Sequence, residues 1–198
     1  MKTNRHLIQI CLLAAVLLFP AAAQAQLIFT INNGVVTITG YTGNPTVMNI
    51  PSTTNGYPVT SIGNAAFLGC SSLSSVTIPD SVTNIGTDAF YGSSLINASI
   101  GNGVTNIAVN AFGSCINLNA ITVGGFNSNY CSVAGVLFNR STNTLIQFPG
   151  GEAGSYAVPS SVISIGGGAF SDCSGLTNVT IGNSAAILET VRSLTAPD

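Results

Sequence analysis

The chain repeats one pattern every 22 or 23 residues, and a sequence built that way has few folds open to it. Val59-Thr-Ser-Ile62-Gly-Asn-Ala-Ala-Phe67-Leu-Gly-Cys70-Ser-Ser-Leu73-Ser-Ser-Val76-Thr-Ile78-Pro79 sets the pattern. Variants run from Val82 to Ile100, Val104 to Val123 and Val162 to Ile181, with Ala-Phe pairs ending at Phe90, Phe112 and Phe170. A unit this short cannot bury its own apolar face, so the copies must stack and share one core. Leu73, Val76 and Ile78 are apolar while Ser74, Ser75 and Thr77 are polar, and the last residues alternate as a strand does. The Ala-Phe-x-x-Cys portion suits a short helical turn that plugs the interior with Phe and Cys. Stacking then lays successive strands side by side as a parallel sheet, about 4.8 Å apart.

The Phe positions are separated by 23, 22 and then 58 residues. That last gap holds two repeats, because Ser155-Tyr-Ala-Val158-Pro159 has the shape of the Val-Thr-Ile-Pro end. One repeat, over about residues 124–159, is therefore 12 residues too long. Within it, Gly135-Val-Leu-Phe138-Asn and Thr144-Leu-Ile-Gln-Phe148 flank Arg140-Ser-Thr-Asn143 and read as a hairpin projecting from the stack. At the other end, Phe29 to Gly40 reads as two alternating strands around Asn33-Gly34, a strong tight-turn signal. This hairpin is placed to cap the apolar end of the stack, and Thr46-Val-Met-Asn-Ile50-Pro51 adds a first rung. Residues 26–56 thus form cap and first rung, and residues 57–184 the array. Ala185 to Leu194 has helical spacing without repeat features, so residues 185–198 are a divergent tail: a capping helix, or the cut-short end of a longer array. Ser93 or Ser94 stands where Cys is expected, and Ala108 replaces the Gly after Ile107.

The motif Ile-Gly-x-x-Ala-Phe-x-x-Cys-x-x-Leu-x-x-Val-Thr-Ile-Pro, recurring from Val59 to Ile181, resembles the BspA-like leucine-rich repeats of bacterial surface and secreted proteins. The resemblance implies a leucine-rich-repeat-like solenoid, for which a hairpin such as Phe29–Gly40 is a common N-terminal cap. It also implies an exported, non-catalytic module used for adhesion or recognition at the cell exterior.

The N-terminus agrees with export. Met1 to His6 is basic, Leu7 to Phe19 is apolar but for Gln9, and Ala21-Ala-Ala-Gln-Ala25 ends small-x-small, which together make a secretory signal peptide over residues 1–25. The apolar run falls short of the roughly 20 residues a membrane span requires, and no second run of spanning length follows. A secreted or cell-surface protein with no membrane span after signal cleavage is expected. Lys2, Arg5, His6 and Cys11 leave with the signal, so Arg140 and Arg192 face six acids, a net charge of −4, with no Lys or His. Only 5% of the 198 residues are charged, against roughly a quarter in an ordinary soluble domain. This excludes nucleic-acid binding through a basic patch, and the 46% hydrophobic content excludes disorder.

Catalysis lacks its parts. A Ser or Cys nucleophile has no His base. Asp88 lies two residues before its Phe and Asp172 two after, so the repeats do not align a carboxylate pair. With Asp80 beyond a strand, these acids read as solvated loop residues. Cys70, Cys115 and Cys173 share one repeat position two rungs apart, about 10 Å between Cα atoms, whereas a disulfide needs about 4.4–6.8 Å. They read as small buried hydrophobes and are too far apart to share a zinc ion. No Asp-rich loop suggests calcium, and Gly166-Gly167-Gly168 has no Lys nearby to complete a phosphate loop. No metal, cofactor or enzymatic activity is expected. Asn97-Ala-Ser99, Asn139-Arg-Ser141 and Asn178-Val-Thr180 match the glycosylation triplet as chance allows in a chain this rich in Asn, Ser and Thr.

What remains is the outward side of the strands. Stacking aligns Ser75, Asn97, Ala120 and Asn178 in one column and Thr77, Ser99, Thr122 and Thr180 in the next. One reading is a neutral hydrogen-bonding platform for an extended protein or glycan, as repeat arrays use their faces. Without charge it would associate slowly and with little salt dependence. Tyr91, Tyr130 and Tyr156 would add aromatic contacts, although Tyr156 is expected to be partly packed within its rung. The other reading is a solubilising surface on a passive spacer, or on a fragment of a larger cell-surface repeat protein.

Overall fold

The computed structural model describes residues 26–182 and 186–187; the signal peptide expected over residues 1–25 and residues 183–185 and 188–198 of the tail lie outside the described residues. Strands β1 (Gln26–Asn32) and β2 (Val35–Thr42) form the expected N-terminal hairpin. Its turn residues Asn33 and Gly34 both have positive φ, 51° and 76°, as a two-residue hairpin turn of matching twist requires. Strand β3 (Val47–Asn49) opens the first rung, and β4 (Thr53–Thr54) pairs antiparallel with β5 (Tyr57–Ile62). From there each rung contributes two strands: β5 and β6 (Ser75–Ile78), β7 (Asn84–Ile85) and β8 (Asn97–Ile100), β9 (Asn106–Ile107) and β10 (Ala120–Val123). They build two parallel walls, β3-β6-β8-β10 and β2-β5-β7-β9, with β1 on the outer edge of β2.

Between its two strands each rung arches over the core through its Ala-Phe pair. Phe67, Phe90 and Phe112 are buried and stacked, with ring centroids 5.0 and 5.3 Å apart and planes within 5°. Tyr41 of the cap hairpin closes the stack at 5.4 Å from Phe67. Burying each ring contributes about 1.5–3 kcal/mol, and each stacked pair about 0.5–1.5 kcal/mol more. Ser93 is the residue that replaces Cys: it is buried, and its hydroxyl lies 3.3 Å from the Cys115 thiol of the next rung.

The arches are not the helical turns expected from the sequence; among the described residues there is no helix. The reason lies in where the amide groups point. Ala65, Phe67 and Gly69 donate to the carbonyls of Thr87, Ala89 and Tyr91 one rung on, while Ala66, Leu68 and Cys70 donate three residues back within the arch. The next arch repeats this: Asp88, Phe90 and Gly92 donate to Val109, Ala111 and Gly113, and Ala89, Tyr91 and Ser93 donate locally. A helix would need every second N–H turned inward to its own chain. Left-handed residues accompany the alternation. Ala65, Asp88, Asn110 and Gly168, each two before its Phe, have φ between 54° and 72°. Gly69, Gly92, Ser114 and Asp172, each two after, have φ between 54° and 66°. Gly, Asn and Asp tolerate this conformation best, which explains the two acids that sequence reading took for ordinary loop residues.

The long repeat departs from this plan at Asn127, which holds the position of Val82 and Val104 in earlier rungs. Its buried amide donates to the carbonyls of Gly101 and Val104, both at 3.0 Å, and its oxygen accepts from the N–H groups of Asn129 and Tyr130. Strands β11 (Tyr130–Val133), β12 (Val136–Asn139) and β13 (Thr144–Gln147) follow as an antiparallel meander. The expected hairpin is its β12–β13 half, with the turn at Arg140–Asn143 on the surface and Val136, Leu137, Phe138 and Leu145 carried into the core. Beyond it, β14 (Gly154–Ala157) pairs with β16 (Leu176–Thr180), and β13 pairs with β15 (Ser164–Ile165). Phe148 supplies the ring of the long repeat, 5.4 Å from Phe170, in a second core cluster. Where the second wall breaks, the Tyr130 hydroxyl accepts from the Ile107 N–H at 3.0 Å and donates to the Thr105 carbonyl at 3.4 Å. A phenol thus closes the edge of β9 in place of a strand. In the tail, Ala186–Ile187 forms β17, parallel to β15 with Ile187 opposite Ile165, so of the two expectations the ladder continues there as a rung strand and not as a helix.

Ala65 bears the left-handed conformation with a Cβ that gains nothing from it. Ala65→Gly should raise stability by about 0.5–1 kcal/mol, read from the urea midpoint at constant slope; a loss of similar size would contradict this account of the arch.

Candidate functional site

The first wall brings most of the expected columns together. Ser75, Asn97 and Ala120 stand opposite one another on β6, β8 and β10, as do Thr77, Ser99 and Thr122. They face outward because Val76, Ala98 and Ile121 between them are buried, as are Ile78 and Ile100. β3 extends the two rows with Val47 and Asn49. Asn178 and Thr180 do not join them. They lie on β16, which pairs with β14 and sets them opposite Ser155 and Ala157. The wall stops at β10 because the insertion covers its edge: the Ile121 N–H donates to the Gly135 carbonyl at 2.9 Å and the Val123 N–H to the Ser132 hydroxyl at 3.2 Å. Four strands give a platform about 14 Å across.

The two walls use the same residue types differently. On the second, Thr83 donates its hydroxyl to the Thr60 carbonyl and Thr105 to the Thr83 carbonyl, each at 3.2 Å, and the Asn106 amide donates to the Asn84 oxygen at 2.6 Å. Those side chains tie rung to rung. On the first wall Thr122 does so, donating to the Ala98 carbonyl at 3.3 Å. Thr77, Asn97 and Ser99 are exposed and turn their polar groups to solvent.

Beside this wall, at the bend leading into the arches, runs an open groove of about 530 Å³ lined by Ser71, Ser74, Ser94, Ile96, Ile116, Asn117 and Asn119 and closed by Gly151. A Cβ on Gly151 would fall 2.7 Å from the Asn117 carbonyl carbon, so only glycine permits this closure. Sequence reading missed the groove, because Ser71, Ser94 and Ile116 follow the Cys position and Ser74, Ile96 and Asn119 precede the strand. Neither set shows in a strand alternation. It also missed Phe126, 93% exposed in the loop after β10, whose N–H donates to Asn102 at 2.9 Å.

The tyrosines do not form an aromatic surface. Tyr130 closes β9, Tyr156 packs 4.6 Å from Phe148, and the Tyr91 ring lies over Gly113. The Asp80 carboxylate accepts from the Asn102 N–H at 2.7 Å and from the Asn102 amide, which hold it below its ordinary pKa. Ser114 donates to Asp172, bridging arches on either side of the insertion. Among the described residues, no three His, Cys, Asp or Glu side chains converge as metal ligands would. Cys70, Cys115 and Cys173 are buried and free, and Cys131 is half-buried and free. Burial raises the Cys115 thiol, and burial with the nearby Asp172 charge pushes Cys173 up to about 12. Both are kept as neutral thiols, poor nucleophiles.

A family model described as BspA type leucine rich repeat region matches residues 46–152 and 147–192, with six copies. No curated protein matches the sequence. The chain is similar to the crystal structure of the T. pallidum leucine rich repeat protein, with 30% identity and a TM-score of 0.56 over 77% of this chain and 67% of that one. It is also similar in fold to a leucine-rich repeat protein from Eubacterium ventriosum, at 22% identity and a TM-score of 0.53. That match covers 79% of this chain, which spans only 57% of the length of the Eubacterium protein.

In the folded chain an alkylating reagent at neutral pH should label Cys131 alone among the four cysteines of the described residues, with Cys70, Cys115 and Cys173 labelled only after unfolding. Mass spectrometry reads the count; label on Cys115 or Cys173 in the native state would contradict their burial.

Proposed function

This chain belongs to the BspA-type leucine-rich-repeat family, and from that premise we propose that it is an exported, non-catalytic binding module whose first wall meets an extended protein or glycan. The observation that supports this most is the contrast between the walls: Thr77 and Ser99 stand opposite one another and exposed, with exposed Asn97 in the neighbouring column, while Thr83, Thr105 and Asn106 are committed to rung-to-rung bonds. A surface of hydroxyls and amides on a rigid sheet offers both donors and acceptors at fixed spacing. Export is supported by the signal-like composition of residues 1–25. The lack of Lys and His beyond residue 25 supports a non-catalytic role, since acid–base chemistry near neutral pH has few groups to use. A passive spacer is the second reading, favoured by the narrowness of a wall only four strands wide.

The secreted chain, immobilised, is tested against extracellular-matrix proteins and neutral polysaccharides at low and high salt. A partner is expected whose affinity changes less than about threefold with salt, because no charge steers it. Thr77→Glu and Ser99→Glu should each weaken it about tenfold or more, a desolvated charge being costly in a neutral interface. Capture unaffected by both variants would move the contact away from Thr77 and Ser99, and no capture from either class would favour the spacer.

A further inference from the structure

We propose that the groove beside the first wall is the ligand-contacting part of this surface and that it takes a neutral, hydroxyl-rich glycan; this rests on the chain being a binding module. The lining carries no charge. Ser71 and Ser94 offer hydroxyls, and Asn117 and Asn119 offer amides, groups that both donate and accept as sugar hydroxyls do, while the Ser74 hydroxyl, which donates to the Thr46 carbonyl at 2.8 Å, is left to accept. In their midst, Ile96 and Ile116 are 41% and 57% exposed. Their counterparts in flanking rungs are polar: Ser74 and Asn119 in place of Ile96, Ser71 and Ser94 in place of Ile116. A local apolar spot rimmed by hydroxyl and amide groups matches a pyranose ring, whose faces are C–H and whose rim is O–H. The groove runs across rungs about 4.8 Å apart, so a linear oligomer lying along it meets one rung after another, apolar at Ile96 and Ile116 and polar on either side.

The alternatives fit less well. A peptide that binds by strand addition needs a row of unpaired backbone groups; at β10, where the groove ends, Gly135 and Ser132 occupy that edge, and at the other edge β3 is only three residues long. An acidic polysaccharide needs cations. Among the described residues Arg140 is the one cation, at the tip of the inserted hairpin, whereas exposed Glu152 adjoins Gly151 at the groove end. The field there disfavours anions.

The test titrates the secreted chain by calorimetry with linear gluco-, manno- and N-acetylglucosamine oligosaccharides and with their uronate and sulfated counterparts. At least one neutral oligomer should bind, with its charged counterpart about tenfold weaker or undetectable. Ile116→Glu and the double variant Ser94→Ala with Asn117→Ala should each weaken binding about tenfold. Ile116 and Asn117 are exposed and Ser94 is half-buried, and retained thiol burial confirms the fold of each variant. Glycan binding abolished by Ser99→Glu but unaffected by both groove variants would overturn the groove assignment and leave the binding module standing. Capture of a protein with no glycan bound would do the same. A preference for charged glycans would overturn the ligand class.

Discussion

Each rung of this protein is completed by its neighbour through two interactions that share one geometry. The Phe ring of a rung lies flat against the next ring, and on either side of it alternate N–H groups donate to the next rung's carbonyls. Neither survives in a rung alone: a single Phe would face water, and three backbone donors per arch would lose their partners. Stability therefore belongs to interfaces between rungs, and the cap hairpin matters because Tyr41 gives the first ring something to lie against.

The same constraint explains how the surface is divided. A regular array would have carried both walls from end to end. Asn127 diverts the chain after three regular rungs, and the meander it starts must satisfy the two strand edges left behind. Tyr130 closes one, and Gly135 with Ser132 closes the other. Pro149-Gly150-Gly151 then settles on the Cys115–Leu118 segment and closes the end of the groove. The first wall is short because the insertion ends it, and it is neutral because almost every outward residue is Ser, Thr or Asn. A face of this kind can select a partner by hydrogen-bond geometry and not by long-range attraction.

Much of this was legible in the sequence, because periodicity is a statement about stacking. The spacing of Phe67, Phe90 and Phe112 foretold their alignment, Asn33-Gly34 foretold the cap, and the surplus length after Gly124 foretold an insertion. What could not be read was how the insertion is joined. Phe148 follows Gln147 instead of Ala, so its place in the ring stack was hidden, and the columns were drawn through to Asn178 and Thr180 as if no meander intervened. The arches were misread for a related reason. Ala-Phe spacing is compatible with a helical turn, and the inter-rung bonds that forbid one connect residues 21 or 22 apart in sequence. The positive φ at Ala65, Asp88 and Asn110 follows from those bonds and has no common side-chain signature, save that Asp and Asn accept it more readily than Ala. The groove escaped because its residues sit at turns, where the repeat is least regular.

The claim that rungs are held by their neighbours is tested most directly by amide hydrogen exchange on Phe90→Ala beside the unaltered chain. Removing the central ring should cost about 3–5 kcal/mol and should lower protection beyond its own arch, at the Ala65, Phe67 and Gly69 amides of one neighbouring rung and around Phe112 of the other. Protection lost only within residues 86–93, with the Phe67 and Phe112 rungs unchanged, would contradict it.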